Sequence, residues 1–248
     1  MTPGDEFPIM IYDAAAVWSV AAEERSERLA DQPLVIVMHG RGSHENDLAG
    51  LFTYLPADAV YVSLRAPISG TPWGLGGWTW FDLDSTSGPT AESVQAAADA
   101  VLAWLGRVEA EYGAPPAIAT LGFSQGGMMA IQLLRSTPHR FAGAVNLSGA
   151  SAVGSAAGDG ELETLRPPLF WGRDVADPVI AASAIARTEE FVAGRFTVTA
   201  RVYPGVGHSI SADELEHVGD FLRQTLDLEG AAGTAGTSGT AGAASAAD

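Results

Sequence analysis

Residues 119–134 read ATLGFSQGGMMAIQLL. An apolar run meets Gly122-Phe123-Ser124-Gln125-Gly126-Gly127, and a second apolar run follows at once. The first run reads as a buried strand and the second as a helix. One serine therefore stands at a strand–helix junction, fenced by three glycines. In that context Gly122-x-Ser124-x-Gly126 is a candidate nucleophile elbow, a sharp turn that lifts a serine hydroxyl above the edge of a sheet. The helix beginning at Gln125 would aim free N–H groups at a developing anion. The same residues would also make an ordinary glycine-rich turn, so the reading depends on whether the chain supplies a base and a site for negative charge.

Outward from this stretch, strand and helix patterns alternate. Pro33–Met38 (PLVIVM) and Ala59–Leu64 are short continuous apolar runs, as in strands buried on both faces. Ala14–Val20 reads as an edge strand. Ala91–Tyr112 reads as a helix, with Val94, Ala98, Val101, Leu105, Val108 and Tyr112 at helical spacing, stopped by Gly113 and Pro115-Pro116. Strands are predicted at Ile118–Phe123, Phe141–Leu147, Pro168–Trp171 and Phe196–Tyr203, and helices at Gln125–Arg135 and Val179–Val192. A last helix starts at Ser211, which forms a capping box with Glu214. This order predicts an α/β fold with a mostly parallel central sheet, helices on both faces, and a ligand site at the C-terminal strand ends. Residues 150–167 leave no room for a large lid domain. Residues 1–229 read as a single domain and 230–248, GAAGTAGTSGTAGAASAAD, as a disordered tail.

Composition excludes several functions. The net charge of −17, from 30 acidic and 13 basic residues, opposes nucleic-acid binding. No apolar run approaches the ~18–20 residues of an integral membrane segment. The first residues, MTPGDEFPIMIYD, have no basic, then apolar, leader pattern, so a cytoplasmic location is expected. The chain has no cysteine, hence no thiol nucleophile, and no lysine, hence no Schiff base. No metal motif appears, and no cofactor is expected.

A serine needs a base. Of His39, His44, His139, His208 and His217, His208 is the candidate, because it sits in a Gly-rich loop between the last strand and the last helix, at the same sheet edge as Ser124. The base needs an acid, and Asp174 and Asp177 both lie in the loop after strand Pro168–Trp171; spacing alone leaves both open. An oxyanion site needs two N–H donors. Gln125 would give one and Arg41, in His39-Gly40-Arg41-Gly42 after strand Pro33–Met38, the other. His39 is then structural.

Taken together, VMHGRGSHENDL (37–48), LGFSQGGMMA (121–130), DPVI (177–180) and GVGHSI (205–210) resemble the phospholipase/carboxylesterase family of α/β-hydrolases, which includes acyl-protein thioesterases. The resemblance covers about residues 14–227. It implies an α/β-hydrolase fold, a triad of Ser124, Asp177 and His208, oxyanion donors Arg41 and Gln125, and hydrolysis of carboxylic esters without a cofactor. It favours Asp177 over Asp174, because the family acid is followed by proline and an apolar pair. Two extra residues separate Gly172 from this acid relative to the family pattern.

The long stretch Ala66–Thr90 carries PWGLGGWTWFDL (72–83). Trp73, Trp78, Trp80 and Phe81 are candidate substrate-binding residues that would wall an apolar acyl pocket, or would pack the loop onto the body. The expected partner is a small-molecule or lipid-like ester. The sequence leaves a homodimer open.

Overall fold

The computed structural model describes residues 9–82 and 89–228. The tail, 230–248, and part of the aromatic stretch, 83–88, lie outside the described residues.

Seven strands form one sheet: β1 (Val17–Trp18), β2 (Leu34–Met38), β3 (Val60–Leu64), β6 (Ile118–Phe123), β7 (Gly143–Leu147), β8 (Pro168–Arg173) and β9 (Thr197–Val202). Their spatial order is β1-β3-β2-β6-β7-β8-β9, parallel throughout except for β1, which runs antiparallel to β3. A separate two-stranded ribbon pairs β4 (Ile68–Ser69) with β5 (Trp78–Thr79). The helices are α1 (Arg25–Asp31), α2 (Asn46–Ala49), α3 (Ala91–Tyr112), α4 (Gln125–Ser136), α5 (Asp159–Leu165), α6 (Ala182–Ala193) and α7 (Ala212–Thr225).

The strands are apolar on both faces because both faces are covered. Along β2, Leu34, Ile36 and Met38 join a core with Val101 and Leu105 of α3 and Leu133 of α4. Val35 and Val37 point the other way, into a core with Leu48 of α2 and Val218 and Leu222 of α7. The period of two along the strand and the near-four along each helix meet in these two layers. Helix α3 is capped by Thr90, whose Oγ1 accepts from Ser93 N–H at 3.1 Å, and it stops at Gly113 (φ 94°).

Strand β2 has β3 on one side and β6 on the other, so chain connections leave it in opposite directions. Its C-terminal end is the switch point where such sheets open a crevice. The registers Met38↔Gly122 and Phe123↔Leu147 bring the segments after β2, β6 and β7 side by side there.

Three expectations need correction. Ala14–Val20 is not one strand: Asp13–Ala15 make a 3-10 turn and only Val17–Trp18 pairs with the sheet. Trp18 instead turns sideways onto Trp104, with ring centroids 6.1 Å apart, and lies beneath the Arg25 guanidinium. Helix α6 starts at Ala182, not at the expected Val179, because Asp177 holds Val179 and Ile180 in a turn. The capping box is half made. Ser211 Oγ accepts from Glu214 N–H at 3.1 Å, but the Glu214 carboxyl faces inward with Val218, where it is buried against Gly172 and Oε1 has no hydrogen-bond partner among the described residues. Burial pushes the Glu214 pKa up to about 7.

Candidate active site

Ser124 sits between β6 and α4 with φ 55° and ψ −115°, a conformation that side-chain-bearing residues avoid. Such strain costs roughly 1–3 kcal/mol and persists only where the surroundings enforce it. Here they do. A Cβ on Gly122 would lie 2.0 Å from Gly126 O, and a Cβ on Gly126 would lie 2.0 Å from Met38 O. The two glycines let strand, helix and the loop after β2 press together, and Ser124 N–H is fixed by Leu147 O at 2.8 Å.

Ser124 Oγ is 2.9 Å from His208 Nε2, and His208 Nδ1 is 2.7 Å from Asp177 Oδ2. His208 comes from the loop after β9 and packs on Phe123, with ring centroids 4.9 Å apart. Asp177 comes from the loop after β8. Its other oxygen accepts from Val179 N–H at 2.7 Å and Ile180 N–H at 3.0 Å. Burial raises the Asp177 pKa, but the His208 bond and the two backbone donors outweigh it, leaving the carboxyl below its ordinary value. With this carboxylate ionised, the His208 proton belongs on Nδ1, and the Nε2 lone pair faces the serine hydroxyl.

Asp174 is placed differently. Its oxygens accept from Ala176 N–H at 2.9 Å and Gly207 N–H at 2.7 Å, so it ties its own loop to the loop that carries His208. Those donors hold its carboxyl below the ordinary value.

The N–H groups of Arg41 and Gln125 donate to no acceptor among the described residues. Both residues border the same cleft as Ser124. His39 is buried below them. Its Nδ1 donates to Gly40 O at 2.7 Å and its Nε2 accepts from Ala66 N–H at 3.1 Å. Burial holds its pKa below the ordinary imidazole value. Of the remaining histidines, His217 meets the Tyr203 hydroxyl at 3.0 Å and His139 is exposed beside Glu161.

The aromatic segment is mostly scaffold. Trp80 is wholly buried, with its Nε1–H donating to His39 O at 2.8 Å. Trp78 lies under the Arg65 guanidinium, 4.8 Å from its ring centroid, and its backbone exchanges 2.8 Å bonds with Gly42 and Ser43. Neither ring borders the cleft, which corrects the expected aromatic wall: the glycines let this segment grip the loop after β2 from behind. Phe81 does border the cleft. The side chain of Trp73 lies outside the described residues. The Gln125 side chain completes the grip, accepting from Trp80 N–H at 2.9 Å and donating to Phe81 O at 2.9 Å. Nothing in the sequence pattern signalled that second role.

The cleft holds about 440 Å³. Its apolar walls are Met128, Ala150, Val153, Val179, Ile180 and Ala184, and Arg187 stands at its border. Sequence reasoning missed this wall, although the apolar pair after Asp177-Pro178 was its visible edge. Among the described residues, no group of three or more His, Asp or Glu side chains could hold a metal ion, and no helix is long and apolar enough to cross a membrane.

The Phospholipase/Carboxylesterase family model matches residues 21–226. A probable carboxylesterase of Oryza sativa subsp. japonica is 29% identical over 155 residues, 60% of this chain and 58% of that protein. The esterase YpfH of Escherichia coli is 28% identical over 208 residues, 79% of this chain and 84% of that one. Among solved structures, esterase PE8 superposes with a TM-score of 0.70 at 25% identity, covering 88% of this chain and all of that one. The sheet order, the strained serine and these likenesses agree, and the chain belongs to the phospholipase/carboxylesterase family of the α/β-hydrolase fold.

Proposed function

We propose that this protein is a serine hydrolase of carboxylic esters. The observation that carries the reading is the unbroken hydrogen-bonded series from Ser124 Oγ through His208 to Asp177, at 2.9 and 2.7 Å, opening on an apolar cleft. Ser124 Oγ attacks the acyl carbonyl as its proton passes to His208 Nε2. The carbonyl oxygen gains the negative charge and meets the N–H groups of Arg41 and Gln125, the latter at the positive end of α4. Collapse breaks the bond to the alcohol, which leaves with the proton from His208, and the acyl group stays on Ser124. Water then attacks the acyl-enzyme, giving its proton to His208. The second collapse returns that proton to Ser124 and releases the acid. Asp177 keeps the imidazole in the required tautomer and stabilises its charged form.

A fluorophosphonate probe and an aryl ester assay test this together. Folded protein labels and turns over ester, heat-unfolded protein does neither, and Ser124→Ala loses both. Removing such a nucleophile costs on the order of 10⁴-fold or more in kcat. Ester turnover by Ser124→Ala within tenfold of the unsubstituted protein overturns the assignment.

A further inference from the structure

The cleft at Ser124 has a charge pattern opposite to that of the whole chain. The protein carries 30 acidic and 13 basic residues, yet the charged side chains bordering this cleft are Arg41 and Arg187, with no carboxylate among its described walls. These two arginines reach it from different parts of the sheet, one from the loop after β2 and the other from α6. Six other arginines (Arg65, Arg107, Arg135, Arg140, Arg195 and Arg223) are paired with carboxylates. Arg41 and Arg187 are among the seven arginines that pair with no carboxylate among the described residues, and of those seven only these two border this cleft. Among the described residues, the one hydrogen bond of the exposed Arg187 side chain is a long one, Nη2 to Ser151 O at 3.4 Å.

The rest of the wall is apolar and open at its lip. Val153 and Val179 border the cleft and are 44% and 62% exposed. An uncharged amphiphile would use those side chains alone. A cation on a low-dielectric wall focuses the field at the mouth, and such clefts raise the encounter rate of oppositely charged ligands by about 10- to 1,000-fold. Arg187 is also spaced one helical turn from Ala184, so it shares the face that lines the cleft.

We propose that the cleft selects esters with an apolar body and a fixed anionic group, a carboxylate or a phosphate, and that Arg187 is the specificity residue that meets the anion. The inference rests on Ser124 being the nucleophile. Arg41 adds a second basic residue at the border of the same cleft, so the cleft disfavours cationic substrates.

The test compares kcat/KM for para-nitrophenyl hexanoate with that for the para-nitrophenyl hemiester of adipic acid and for a phosphonate-terminated ester of equal length. The charged-to-neutral ratio should be about tenfold or more at low salt and should shrink as salt screens the attraction. Arg187→Gln should bring the ratio close to one, and Arg187→Glu should invert it. The larger of the carboxylate and phosphonate ratios identifies the anion, and either one supports the proposal. A ratio of one or less in the unsubstituted protein overturns it, as does a ratio that neither substitution moves. If the neutral ester is hydrolysed without preference, only this inference falls. If no ester is hydrolysed, the serine-hydrolase reading falls and this inference with it.

Discussion

Trp80 Nε1–H donates to the carbonyl oxygen of His39 across 2.8 Å, and the indole is wholly buried beneath the loop that carries Arg41. The bond fixes the start of His39-Gly40-Arg41, so in the proposed mechanism its effect on catalysis passes through the position of the Arg41 N–H. Trp80→Phe keeps an aromatic ring in the core but leaves His39 O without its donor, a loss of about 1–3 kcal/mol. If half of that appears in the transition state, kcat/KM falls by up to about tenfold. The fall should be equal for acetyl, butyryl and octanoyl esters of one alcohol, since the ring borders no part of the cleft. A penalty growing with acyl length would show that the indole does reach the chain.

The two aspartates after β8 divide their work, and substitution should separate them. Asp177→Asn removes the acceptor of His208 Nδ1–H, and loss of that tautomer control costs roughly 10⁴-fold in kcat in a serine protease. Asp174→Asn instead keeps one of the two acceptors and turns an amide NH2 toward the other backbone N–H, so it should cost stability first and turnover only mildly. Its carboxyl lies below the ordinary value when folded, so its stabilisation is complete above the unfolded pKa near ~3.9 and fades as pH drops through the folded value. Thermal melts between neutral and acid pH should therefore show a shallower acid loss for Asp174→Asn. A larger kcat defect for Asp174→Asn than for Asp177→Asn would exchange their roles.

Much of this arrangement was legible because local chemistry leaves few options. Gly122 and Gly126 announce a place where strand, helix and loop are in contact, and the short apolar runs 34–38 and 118–123 read as strands covered on both faces. Side-chain direction was not legible where the backbone loses its period. From Trp78 to Phe81 the chain is a two-residue strand followed by a bend, so neither alternation nor helical spacing says which ring turns inward. The cleft wall was hidden for another reason. Ala184 and Arg187 join Ser124 only because α6 folds back over the sheet edge, and that is a property of tertiary packing. Glu214 was misread because a capping pattern and a buried face compete for one side chain, and here the buried face wins.

Glu214 yields a pH prediction of its own. Its pKa is about 7 when folded and 4.5 in the ordinary state, because burial disfavours the charged form. Below the ordinary value both folded and unfolded chains hold the proton, and there is no effect. Between the two values the unfolded chain ionises first, so stability falls as pH rises; above about 7 the penalty is constant. At about 1.4 kcal/mol per pKa unit the full loss is up to ~3 kcal/mol, reduced by any water that reaches the group. Glu214→Gln removes the charge and nearly keeps the shape. Its melting temperature should exceed that of the unsubstituted protein at pH ~8 and not at pH ~4, the two ends of the same window. Parallel curves for the two proteins would mean that Glu214 titrates normally.

The wall made by α6 and its entry turn, rather than the aromatic segment, is where an acyl chain should lie. Ile180 borders the cleft with Met128 and Ala184, while its own N–H is held by Asp177 Oδ1 at 3.0 Å. Substituting the side chain therefore leaves the backbone bond that supports the acid. An acetyl ester is too short to cover this wall, whereas an octanoyl ester lays several methylenes on it. Each covered methylene is worth up to about 0.8 kcal/mol, so uncovering two of them should cost roughly tenfold. Ile180→Ala should thus lower kcat/KM for octanoyl esters by about tenfold relative to acetyl esters, with butyryl between them. Ala184→Leu should also disfavour octanoyl, by filling the space the chain would occupy. The two substitutions change volume in opposite senses, so agreement between them locates the chain against this wall. A uniform loss across the series for Ile180→Ala would mean that the turn after Asp177 has shifted and that His208 has lost its partner, a result the pH dependence of kcat would then reveal.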